Sequence, residues 1–135
     1  MSFTITDAEK ALHEVAAIKG KERAQLIERI LRWETNHFKS KQYKLTGSAG
    51  MEDGKWSGLK QGTYTTIQML DNHPEKVSNP MRTFIKWNNV LDFCLYLSDY
   101  IDRYNGNFGR WNSTNEIKQQ VYIKCVNSVK NRIIK

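Results

Sequence analysis

Apolar residues recur at helical spacing along most of this chain and lose that rhythm in one glycine-rich stretch. In "KERAQLIERILRWETNHF", wound at 3.6 residues per turn, Ala24, Ile27, Ile30, Leu31 and Phe38 line one face, which predicts a helix over about 21–37. A helix before it opens on a capping box, Thr6 with Glu9, and ends near Gly20. "NNVLDFCLYLSDYIDRY" puts Leu91, Cys94, Leu95, Ser98 and Ile101 on one face and reads as the most buried helix. Asn88 or Asn89 is its N-cap, with Asp92 in its first turn, and it stops at "NGNFG". The last helix opens on a second box, Ser113 with Glu116. It sets Ile117, Val121, Cys125, Val129 and Ile133 on one side and Lys118, Lys124 and Lys130 on the others.

Between Gly47 and Gly62 lie five of the eight glycines, with Trp56 exposed among them, which predicts a loop-rich lobe with a short hairpin. "TYTTIQML" (63–70) suits a strand but also a helical turn, and Pro74 and the "SNP" of 78–80 bracket a further connection. The chain is expected to form one mainly α domain over residues 1–135, a helical core with a small irregular lobe inserted early.

One residue breaks the pattern. Glu34 falls four after Ile30 and three after Leu31, in the middle of the apolar stripe. Burial there disfavours the charged carboxylate and raises its pKa from about 4.3. An acid still protonated near neutrality is what a glycosidic bond requires, because the leaving oxygen must gain a proton as it departs. The ordinary alternatives are an ion pair with Arg32 or Lys39, or a side chain that reaches water at the helix end.

Composition narrows the field. A net charge of +7 favours an anionic partner: nucleic acid, a membrane surface or bacterial wall polymers. No segment approaches the roughly 20 apolar residues of a membrane span. The three histidines (His13, His37, His73) are scattered, so no metal and no cofactor is expected. Cys94 and Cys125 are expected as buried free thiols, with a disulfide between their helices as the alternative.

With these residues in place, the chain resembles the lysozyme-like superfamily of peptidoglycan hydrolases, most closely its glucosaminidase branch. That branch carries Glu-Ser-Gly-Trp-Gly-x-Ser at a helix end. Here Glu34 takes the Glu place and Thr35 the Ser place, Phe38 is aromatic near the Trp place, and Ser40 falls six after the glutamate. Gly50-Met51 stands where the family has Gly-Ile, and "FIKWNNVLDFCLYLSDYIDRY" is similar to its aromatic element leading into a Tyr-ended helix. Gly50-Met51 and Tyr104-Asn105-Gly106 also resemble segments of lytic transglycosylases. The family's Trp-Gly pair is His37-Phe38 here, and no Gln follows Met51.

The resemblance implies an α+β lysozyme-like fold whose glycine-rich lobe flanks a cleft, with peptidoglycan glycan strands as substrate. It makes Glu34 the general acid and Tyr104 an aromatic hydroxyl lining the cleft, the alternative for Tyr104 being a ring packed on the core. Ser40 and Met51 would lie against substrate. Tyr43, Trp56 and Trp111 would stack on sugars, the alternative being packing within the lobe. A second carboxylate is sought in Asp53, Glu52 or Asp71, about 6.5–9.5 Å from the acid in an inverting enzyme, unless the substrate's N-acetyl group attacks instead. The bond cut, MurNAc–GlcNAc or GlcNAc–MurNAc, and hydrolysis versus transglycosylation stay open.

The rival from another class is a basic helical nucleic-acid-binding protein, resting on Lys118, Lys124, Lys130 and Arg132. The basic residues are spread along the chain without a helix-turn-helix or stacking motif, so a nucleic-acid partner is not expected. A non-catalytic wall-binding module is the third reading. "MSFTITDAEK" lacks the regions of a secretory signal. With the charge and size, it suggests a monomer made in the cytoplasm that acts on the wall after release or delivery, as a phage or prophage endolysin does.

Overall fold

The computed structural model describes residues 2–51, 62–65 and 83–135. Helix α1 (Ile5–Lys19) is capped one turn-half earlier than the sequence suggests. Thr4 accepts from the Asp7 N–H while Asp7 accepts from the Thr4 N–H at 2.7 Å, so the box is Thr4–Asp7 rather than Thr6–Glu9. Gly20 ends α1 and leads directly into α2 (Lys21–Glu34), whose Ala24, Ile27, Ile30 and Leu31 are fully buried, as their spacing predicts. Each of the three larger side chains contributes about 1.5–3 kcal/mol when removed from water.

A short helix, α3 (Lys41–Thr46), begins at Ser40, whose hydroxyl accepts from the Tyr43 N–H. Two antiparallel strands, β1 (Gly62–Thr65) and β2 (Thr83–Lys86), pair Gly62 with Lys86 and Thr65 with Thr83. Residues 63–65 of "TYTTIQML" are thus strand, while 66–70, Pro74 and 78–80 lie outside the described residues. Backbone bonds from Ile85 N–H to Met51 C=O and from Trp87 N–H to Thr46 C=O fasten β2 and the residue after it to the end of α3 and the segment that follows.

Helix α4 (Val90–Arg103) starts at Asn89, whose side chain accepts from the Asp92 N–H, and buries Phe93, Cys94, Leu97, Ser98 and Ile101. It packs with α2 against α1, so that the main core lies among these three helices. A 3-10 turn (Phe108–Trp111) follows, then α5 (Glu116–Asn127). A Cβ on Gly109 would sit 2.8 Å from the Gln119 backbone, which is why only glycine lets the 3-10 turn approach α5 so closely.

The last helix departs from expectation twice. Its N-cap is Asn115, accepting from the Lys118 N–H, and Ser113 instead accepts from the Asn115 N–H. Its buried face is Gln119, Tyr122 and Val126, while Ile117 and Val121 are exposed. The helix ends at Asn127, so Val129 and Ile133 never continue the stripe that their spacing suggested. The protein is mainly helical. Cys94 is buried, Cys125 half-buried, and both are free thiols; burial pushes the Cys94 thiol up to about 12.

Candidate functional site

Glu34 is the last residue of α2 and is half-buried. Burial raises its pKa, and the Tyr122 hydroxyl on α5 lowers it by a smaller amount. That hydroxyl is itself buried and stops short of hydrogen-bond geometry with any described group. Burial, then the nearby Glu34 carboxylate, holds the Tyr122 phenol far above its ordinary range. The ion pairs considered for Glu34 do not form: Arg32 is turned to Glu28, and Lys39 is exposed.

Beyond Glu34 the backbone does something the sequence does not announce. Asn36, His37 and Phe38 take φ of 49°, 57° and 67°, three consecutive non-glycine residues in the left-handed region. For L-residues that hand costs about 1–2 kcal/mol each, somewhat less for asparagine. Local bonds hold the turn. Thr35 Oγ1 donates to the Leu31 C=O and accepts from the Phe38 N–H, and the Ser40 N–H returns to the Thr35 C=O at 2.9 Å. Phe38 is buried, through this turn rather than by continuing the helix to 37 as the spacing predicts, and it packs edge-on against Tyr43.

The residue that sequence reasoning missed is Glu28. It is fully buried and receives five donors: Arg32 Nε at 2.6 Å, Asn131 Nδ2, and the backbone N–H groups of Arg132, Ile133 and Ile134. Burial alone raises this pKa, but the hydrogen bonds together outweigh it and the carboxyl lies below its ordinary value. A signal was available: Glu28 is four after Ala24 and three before Leu31, as deep in the stripe as Glu34.

A separate groove of about 640 Å³ runs beside α4 and brings together Met51, Tyr104 and Trp111 with Tyr96, Tyr100 and Arg110. The Trp111 ring meets Tyr100 edge-on at 5.0 Å, and the Arg110 guanidinium lies 4.7 Å over the Tyr104 ring. Three of the residues expected against sugar are therefore neighbours. Glu34 is not among the side chains lining this groove. Ser40 serves as the α3 cap. Tyr43 is wholly buried with its hydroxyl donating to the Thr4 C=O at 2.6 Å, which leaves no ring face to stack on a sugar. Trp56, Glu52, Asp53 and Asp71 lie outside the described residues. Compared with family models, curated proteins and solved structures, the chain matches none.

Proposed function

We propose that this protein is a peptidoglycan glycoside hydrolase that cuts β-1,4 bonds between MurNAc and GlcNAc, with Glu34 as the general acid. The observation that carries the proposal is a half-buried carboxyl at a helix end, raised in pKa, with no ion-pair partner among the described residues. Such a group holds its proton to higher pH than an ordinary carboxyl and can give it to the glycosidic oxygen as the C1–O bond breaks. The resulting oxocarbenium-like centre is then taken by water, or by the substrate's own N-acetyl oxygen where no second carboxylate serves. The aromatic groove with Tyr104 and Trp111 offers ring surface for sugar C–H faces. The net charge of +7 adds salt-sensitive adhesion to an anionic wall.

The test is turbidity loss and muropeptide mass spectrometry on purified peptidoglycan, wild type beside Glu34→Gln. Loss of the acid is expected to lower the rate by about 10²–10⁴-fold. Equal rates in the two proteins, or no cleavage by wild type, removes the proposal. The new ends then fix the bond: reducing GlcNAc, reducing MurNAc or anhydro-MurNAc.

A second reading is favoured by one observation, that Glu34 does not line the groove holding Met51, Tyr104 and Trp111. It is a wall-binding module that holds glycan without cutting it. Sedimentation with insoluble peptidoglycan, undiminished by Glu34→Gln and lost in a Tyr104→Ala/Trp111→Ala variant, with no soluble product released, would establish it.

A further inference from the structure

Arg32 is almost fully buried, which is unusual for a guanidinium in a chain of this size. Its ion pair with Glu28 does not account for its presence, since apolar replacements of buried ion pairs are commonly as stable or more so. What distinguishes Arg32 is the number of things it touches at once. Nε donates to Glu28, Nη1 lies 3.4 Å from His37 Nδ1, the guanidinium carbon sits 5.1 Å over the Phe38 ring, and the Arg32 C=O accepts from the His37 N–H at 2.9 Å. A planar fork can do this and an ammonium cannot. Glu28 is in turn clasped by Asn131–Ile134. The strained turn at 36–38, which decides where α2 ends, is thus plugged from inside the protein by a side chain fixed through the far end of the chain.

The same C-terminal unit meets Glu34. Tyr122 on α5 is the titratable group facing that carboxyl among the described residues, and the segment after α5 clasps Glu28. Glu28 and Glu34 are thus both seated against one piece of chain.

We infer that Arg32 is a positioning residue: wedged between Glu28 and the left-handed turn, it sets the end of α2 and so the presentation of the Glu34 carboxyl. Its consequence for catalysis rests on the proposed role of Glu34; its consequence for the carboxyl itself does not.

Three variants test it. Arg32→Lys keeps the charge but not the fork. Glu28→Gln/Arg32→Met removes both charges together, stranding neither. Phe38→Leu withdraws the ring from the guanidinium and leaves the clasp intact. The readouts are the Glu34 titration, followed by ¹³C NMR of glutamate side chains, and kcat and KM on peptidoglycan across pH.

Each variant is expected to titrate Glu34 at lower pH than wild type, as the loosened carboxyl gains water. kcat falls by about tenfold or more with KM within about twofold, and the basic limb of the pH–rate profile moves to lower pH. Lower melting temperatures with an unchanged Glu34 titration and unchanged kcat in the variants that fold would mean that Arg32 only stabilises, and would overturn the inference. If wild type cleaves no wall, the proposed function falls, while the titration still decides whether Arg32 positions Glu34.

Discussion

Helix α2 sets two carboxyls, Glu28 and Glu34, within its apolar stripe, and the structure treats them in opposite ways. Glu28 is fully buried and its pKa is lowered; Glu34 is only half-buried and its pKa is raised. Depth of burial would predict the reverse order. What decides the sign is the supply of donors: Glu28 has five, three of them backbone N–H groups that cost little further ordering, while Glu34 has one phenol at the edge of reach. A buried carboxyl surrounded by donors is a structural anion. One that lacks them holds its proton to higher pH than usual, and that is the property chemistry can use.

The comparison breaks most forcefully at Glu28. Glu28→Gln puts an amide against backbone donors and leaves the Arg32 charge buried without its partner, so it is expected to cost about 3–5 kcal/mol at pH 7. Because the folded pKa is lowered, the carboxylate's contribution is present above about pH 4.3 and disappears as pH falls through the folded value. Urea denaturation of both proteins at a series of pH values descending from 7 should show a large gap that narrows in acid. A small or pH-independent gap would mean that the clasp does not hold Glu28 as an anion.

How much of this was legible in the residues can be judged at the same two positions. Heptad-like spacing located α2 and flagged Glu34, and the identical test flags Glu28, because both sit three residues from Leu31. What spacing does not contain is the partner. Three of the five donors to Glu28 come from the backbone of 132–134, and a backbone N–H has no residue identity to read. The Glu–Arg pair at i,i+4 has the form of an ordinary exposed helix pair, and only tertiary packing turns it inward. The apolar series of α5 misled for a related reason. Ile117 and Val121 fit helical spacing as well as Tyr122 and Val126 do, and the face chosen is the one that meets α2 and the 3-10 turn. By contrast the Asn89 cap was visible, since a cap depends on residues only three apart.

The left-handed turn was not legible at all, since neither glycine nor proline marks residues 36–38. It supplies the next expected effect. His37 is exposed, so His37→Gly removes little packing while relieving about 1–2 kcal/mol of backbone strain. Against that stands about 0.4–1 kcal/mol from the greater freedom of glycine in the unfolded chain. A net gain of about 0.5–1 kcal/mol is expected, read as a raised Tm. A loss instead would show that the 3.4 Å contact between His37 Nδ1 and Arg32 holds the turn more firmly than its geometry indicates.

The smallest effect is the most diagnostic. Glu34 has a raised folded pKa, so its favourable contribution to stability is complete below the ordinary value and is lost as pH rises through the folded one. Above that pH the folded protein carries a carboxylate that burial disfavours. Glu34→Gln relieves this, and should stabilise by about half a kcal/mol at pH 8 and by nothing at pH 4, the half-exposed position keeping the effect small. Glutamine at position 28 should therefore destabilise, most strongly at high pH, while glutamine at position 34 stabilises over the same range. If both substitutions shift the melting curve in the same direction, donors do not separate the two carboxyls, and Glu34 loses the feature that singles it out as an acid.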